Sequence, residues 1–223
     1  METTGSHDVD PQDKPTRKAP ALGDFFRVER VDVAGLAAYL DGLGDVERAA
    51  ATVTMRPSQQ ARLFDAARGF RPLGLEHFVP RRVAARGRVI HTGKNSIPIF
   101  SRFEKHFCLP EPRSDRLWGY NRNPRSIQGI TGPGYFVCYA IAAGEVLIDY
   151  TQVPAGPPPE AWPPIRPNSA GLSRYIYDRT QDTMRGVSKH VSIGRASRDG
   201  KPMENWFVLC RRDEPSTGAM TGR

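Results

Sequence analysis

Cysteine is scarce in this chain, with three residues in 223. Cys108, Cys138 and Cys210 are too few and too scattered for a disulfide framework. No two of them stand at the spacing of a zinc knuckle. Long apolar runs are also missing: no stretch approaches about 18 consecutive apolar residues, so no helical membrane span is expected. The first residues, METTGSHDVDPQDKPTRKAP, lack the apolar stretch of a secretory signal and read as a disordered leader. A reducing, cytoplasmic setting is the default expectation.

Signature motifs are equally sparse. The five histidines, at 7, 77, 91, 106 and 190, are not paired at metal-ligand spacing. There is no His-Glu-x-x-His, no Gly-x-Ser-x-Gly and no P-loop. No metal or cofactor is therefore expected, apart from a haem iron held by a lone His91 or His106.

What the chain does have is positive charge, +8 with a pI near 9.7. Such a balance suits phosphate backbones. Here Arg and Lys are spread along the whole length, with one denser run, RRVAARGRVIHTGK, at 81–94. No nucleic-acid-binding motif accompanies it, so nucleic acid is a minor alternative partner.

The first third has helical periodicity. VDVAGLAAYLDGL brings Val33, Leu36, Ala37, Leu40 and Leu43 to one face. GDVERAAATVTM continues as a second helix, and MRPSQQARLFDAARGF forms a third with Ser58 as its cap. A last turn, LGLEHFVP, leads into the basic run.

Past residue 85 the pattern becomes short β-branched and aromatic runs between Gly, Pro and Asn. RVIHTG, IPIFSRFEKHFCL, LWGYN, GYFVCYAI, EVLIDYTQV, SRYIYD, KHVSIGRA and ENWFVLCRR are the expected strands. Their short connections require antiparallel neighbours, and Asp199-Gly200 is a hairpin signal. The proline-rich 153–171 segment cannot enter a sheet interior, so it must wrap the outside or cover an opening. The expected organisation is a disordered leader (1–20), a helical segment packed on the barrel (21–80), an antiparallel β domain (81–213) and a disordered tail (214–223). The fold class is mainly β (α+β): a closed or nearly closed antiparallel barrel of about eight strands with N-terminal helices.

LFDAARGFRPLGLEHFVPRRVAARG resembles the opening of the GXWXG-type family of uncharacterised bacterial proteins. IPIFSRFEKHFC stands where that family has a Trp-Tyr-Gly-Lys-x-Phe strand. YIYDRTQDTMRGVSKHVSIGRASRDG with WFVLCR is similar to the family's C-terminal unit. The Gly-x-Trp-x-Gly itself is replaced by RRVAARGRV. The resemblance implies a lipocalin-like barrel and carries no reaction with it.

Four constellations could hold chemistry. In SRFEKHF, Arg102, Glu104 and His106 alternate with Phe103, Lys105 and Phe107. The plain interpretation is one solvated face. Lys105 on the apolar side is what a cavity with polar anchors would show. Tyr120 and Tyr135 are expected as cavity-wall residues beside the ITGPGYF turn, whose backbone could alternatively form a small anion nest. Asp149 is a general base or ligand anchor if it faces inward beside Arg102, Lys105 or Arg185, and a surface acid otherwise. Tyr177 alternates with Tyr175 in the SRYIYD strand, which Asp178 closes, and Asp178, Asp182 and Arg185 read as a polar clasp closing the sheet.

The expected activity is binding of a small, largely apolar, lipid-like or metabolite ligand by Arg102, Tyr120, Tyr135, Asp149, Tyr177 and Arg185. The arginines would meet an anionic head group. The alternative is a cyclase, isomerase or dehydratase with Asp149 as base and Tyr120 or Tyr135 polarising a carbonyl. A further alternative is nucleic-acid or partner binding through 81–94. Nothing in the pattern assigns an oligomeric state.

Overall fold

The computed structural model describes residues 20–27, 29–98, 101–123 and 132–213. The expected leader, up to residue 19, and the tail from residue 214 lie outside these, as does Thr131 of the ITGPGYF turn. Helix α1 (Val33–Gly42) starts where Asp32 accepts the Gly35 N–H at 2.8 Å. Helices α2 (Asp45–Thr52) and α3 (Pro57–Ala66) follow. The cap of α3 is Arg56 rather than Ser58, because Pro57 takes the first helical position, where its missing N–H costs nothing. A single turn, α4 (Leu75–Phe78), precedes the sheet.

Eight strands close into one antiparallel barrel in simple chain order. They are β1 (Val89–Asn95), β2 (Arg102–Cys108), β3 (Arg116–Arg122), β4 (Tyr135–Ile141), β5 (Glu145–Asp149), β6 (Thr180–Gly186), β7 (Val191–Arg198) and β8 (Lys201–Arg211). The Asp199-Gly200 hairpin joins β7 to β8, with Arg198 paired to Lys201 and both turn residues at positive φ. One expected strand is misplaced by a few residues. SRYIYD contains a short helix, α5 (Ser173–Ile176), and the polar TQDTMRG that follows it is β6. β6 hides from a hydrophobicity reading because its inward positions are Thr180, Asp182 and Met184.

Three apolar clusters organise the molecule. The barrel interior joins Val89, Phe107, Leu117, Phe136, Val146 and Met184 to Leu73, Phe78, Val79 and Val83, which close one end. Outside, α1 and α3 pack Leu36, Leu40, Leu63 and Phe64 onto Val191, Ile193 and Val208. The 153–171 segment wraps the opposite exterior, seating Trp162 on Tyr120 and Tyr135, with ring centroids 4.9 and 6.3 Å apart. Arg86, from the basic run, holds that segment by donating to the Pro158 carbonyl at 2.9 Å.

Candidate functional site

Strand alternation decides which side chains reach the barrel interior. On β2 the inward positions are Phe103, Lys105 and Phe107, and Lys105 is buried. Opposite it on β3 stands Asn121, whose Oδ1 accepts from Lys105 Nζ at 2.9 Å. Tyr150, directly after β5, places its hydroxyl against the same Nζ and accepts from Asn121 Nδ2 at 2.9 Å. From β6 across the barrel, Asp182 brings Oδ2 to 3.4 Å from Nζ. Four aromatic rings surround the amine, those of Tyr150, Phe207, Phe136 and Phe103, with centroids 4.9 to 5.5 Å away.

Two buried opposite charges cost several kcal/mol each in lost hydration, and their attraction offsets this only when the geometry is good. Charge-assisted contacts close to about 2.7–2.9 Å, so 3.4 Å is a loose pair. Burial pushes the Lys105 ammonium below its ordinary value, and the Asp182 charge only partly restores it. Burial pushes Asp182 up, with Lys105 again opposing. Both shifts point the same way, toward a pair that shares one proton and carries little net charge. Burial and the nearby Asp182 charge also raise Tyr150 well above its ordinary value, keeping the phenol protonated.

Beside this group lies a cavity of about 90 Å³ at the end of the barrel away from Phe78. Its wall carries Asn95, Asn121, Asn123 and Asn205 together with Phe103, Phe207, Tyr150 and Tyr177. Asn95, Ile97, Ile176 and Asn205 on the rim are half-buried, so the space reaches the surface. Tyr177 stacks on Tyr150, with centroids 5.3 Å apart and planes 22° apart, and accepts from Asn123 Nδ2 at 2.9 Å. Gly134, at φ 55°, lets the chain pass under that ring, since a Cβ there would sit 2.5 Å from it.

Of the six expected ligand-binding residues, only Tyr177 lines the cavity. Arg102 is exposed on the outer face of β2. Tyr120 and Tyr135 face outward beneath Trp162. Tyr120 pairs with His106 Nδ1 at 3.1 Å, and Tyr135 donates to the Pro163 carbonyl. Asp149 pairs in register with Val137 and Gln181 on the outward side of the sheet. It accepts from the Thr151 amide and hydroxyl, Gln152 Nε2 and the Tyr139 hydroxyl, at 2.6 to 3.2 Å. Burial pushes its carboxyl up, but these donors outweigh that and hold it below its ordinary value. Arg185 is outward too, three positions from Asp182 and thus on the other face, so the expected clasp between them does not form. It pairs with Glu145 at 2.6 Å, donates to the Phe64 carbonyl at 2.7 Å and lies 3.9 Å over the Phe64 ring, fixing α3 to the barrel.

His106 has both ring nitrogens engaged, by Glu104 at 2.9 Å and by Tyr120. That hydrogen bond comes first among the causes that lower the Glu104 carboxyl to about 2. His91 is packed between Phe78 and Phe107, its Nε2 3.0 Å from the Phe78 carbonyl. Arg81, Arg82 and Arg88 of the basic run are exposed, and only its last six residues, from Val89 to Lys94, enter β1. Among the described residues, no helix is long and apolar enough to cross a membrane, and no cluster of three or more His, Cys, Asp or Glu is placed to hold a metal.

Lys105, Asp182, Asn121, Asn123 and Tyr150 are the site residues a motif search misses. Their signal is a polar residue on the apolar side of an alternating strand. It is visible at Lys105 in Phe-Lys-Phe and, once β6 is known to be a strand, at Asp182 in Thr-Asp-Met. No protein-family model, no curated protein and no solved structure matches the chain.

Proposed function

We infer that this barrel binds a small neutral molecule, with a hydrogen-bonding head and an apolar body, in the cavity beside Lys105. The observation that carries this reading is a Lys–Asp pair buried among four rings, where an all-apolar interior would be cheaper. Polar groups retained at such cost, at the edge of an open cavity, are the usual mark of a binding site.

Charge balance and size define the ligand class. Asp182 already compensates Lys105, and no arginine lines the cavity among the described residues, so an anionic head group would meet no unpaired cation among them. Four asparagines offer amide donors and acceptors to a neutral partner. At roughly 10–15 Å³ for each water-sized occupant, about 90 Å³ holds on the order of six to nine non-hydrogen atoms. A small metabolite, rather than a fully enclosed lipid, fits that limit. The enzyme reading that uses Asp149 as base has no support from geometry, because Asp149 faces away from the cavity.

The test is thermal shift with neutral alcohols, ketones and amides of about four to six carbons, set against the corresponding carboxylates. Neutral compounds raise the melting temperature and carboxylates do not. Ala196→Leu, which puts methyl groups into the cavity from its wall, abolishes the shift. A shift that survives Ala196→Leu, or that only carboxylates produce, overturns the reading.

A further inference from the structure

Building on that cavity as the binding site, we propose that Lys105 is a nucleophile that captures the carbonyl carbon of a small aldehyde or ketone as an imine, with Asp182 as proton donor and counterion. The geometry supplies each component. Lys105 lines the cavity, and the Asp182 carboxylate is 3.4 Å from its Nζ, near enough to exchange a proton without locking the amine in a tight pair. The Tyr150 hydroxyl stands at the same nitrogen, held there by the Asn121 amide N–H, and is the donor nearest to where the oxygen of a carbonyl attacked by Nζ would develop charge. The four surrounding rings make the space poorly hydrated, which favours loss of water in the second step.

The step balances without any other reactant. The neutral amine attacks the carbonyl carbon, a C–N bond forms, and the C=O π pair moves to oxygen. The oxygen takes the proton of the Asp182 carboxylic acid. The Asp182 carboxylate then takes one proton from the nitrogen of the carbinolamine and passes it to the hydroxyl, which leaves as water as the freed nitrogen lone pair forms the C=N bond. A secondary iminium remains beside the Asp182 carboxylate. One amine, one carboxylic acid and one carbonyl thus become one iminium, one carboxylate and one water, with no change in net charge. Starting from ammonium and carboxylate changes only where the shared proton begins. Burial disfavours the ammonium and so enlarges the share of reactive amine relative to an exposed lysine.

The six lysines of the chain, at 14, 18, 94, 105, 189 and 201, make the proposal mappable. The protein is incubated with butanone or butanal and sodium cyanoborohydride, and the alkylated lysines are located by peptide mass spectrometry. Lys105 is labelled at least about tenfold faster than the other five lysines, the excess expected of an amine held partly neutral. Lys105→Met removes that label, Asp182→Asn slows it, and Ala196→Leu blocks it while leaving surface labelling unchanged. If butanone raises the melting temperature while only surface lysines are labelled, the cavity binds without forming an imine and the proposal is overturned alone. If there is neither a shift nor a Lys105 label, the binding reading fails with it.

Discussion

The two ends of the barrel bury ionisable groups in opposite ways. At the closed end, His91 sits between Phe78 and Phe107 with no carboxylate partner among the described residues, and burial lowers it to about 3. At the open end, Lys105 keeps a carboxylate, a phenol and an amide within reach, and a cavity alongside. The closed end is a packing solution: aromatic stacking fills the space and a carbonyl takes the one ring N–H. The open end spends stability on polar groups that packing does not need. This contrast separates a burial that packing explains from one that it does not, and three measurements can break or sharpen it.

The largest effect is expected at the closed end. Phe78 is fully buried, its ring 5.0 Å from Phe107 and 5.5 Å from His91. Phe78→Ala removes the centre of the plug and costs about 3–5 kcal/mol, read as a lower urea midpoint. Ligand-induced stabilisation at the open end survives, because Phe78 does not line that cavity. Loss of binding in a Phe78→Ala protein that still folds would show that the two ends are one coupled site.

At the open end, Lys105→Met should cost about 3 kcal/mol at neutral pH, since it leaves Asp182 buried without its partner. Its pH dependence is more diagnostic. In the wild type the pair holds one proton in both the folded and the unfolded chain, so stability near neutrality is flat with respect to this pair. In Lys105→Met the folded Asp182, already raised by burial, must take up a proton that the unfolded chain lacks above about pH 4. A folded value above the unfolded one means that stability is complete at low pH and is lost as pH rises through the window, by about 1.4 kcal/mol per pH unit. The double variant Lys105→Met/Asp182→Leu removes that slope and regains wild-type stability to within about 1 kcal/mol. A single variant as stable and as pH-insensitive as wild type would mean that the pair is solvated rather than buried.

The same contrast explains which parts were legible in the sequence. The barrel could be read because turn chemistry and short connections constrain it: Asp199-Gly200, the run of antiparallel strands and the proline-rich wrap all stand where expected. The residues of the open end were harder to place. Arg102, Tyr120, Asp149 and Arg185 carry the chemistry that suggests a site, but strand parity turns each outward. There the Pro-rich segment engages Tyr120, neighbouring hydroxyls engage Asp149 and α3 engages Arg185, while Arg102 is exposed. Parity cannot be counted until a strand's start is known, and β6 begins two residues beyond the SRYIYD run, at Thr180. That displacement hid Asp182, and with it the partner that gives Lys105 its meaning.

The smallest effect belongs to His91, and its sign is opposite to that of the Lys105 variant. Burial lowers its value to about 3, Arg211 and His190 nearby also disfavour its cation, and the hydrogen bond to the Phe78 carbonyl only partly opposes them. The unfolded chain protonates histidine near pH 6.5, so between that point and about pH 3 it binds a proton that the folded chain refuses. Stability is therefore complete above about pH 6.5 and falls as the solution is acidified, by about 1.4 kcal/mol per pH unit from this residue. His77, half-buried against the same cluster and lowered first by burial, adds to the slope in the same direction. His91→Phe keeps an aromatic ring between Phe78 and Phe107 but cannot titrate. Its urea midpoint between pH 6 and 4 should decline less steeply than that of wild type, even if it starts lower for want of the carbonyl contact. Equal slopes would mean that water reaches the closed end, and the distinction between a packed, apolar floor and an open mouth with buried polar groups would be lost.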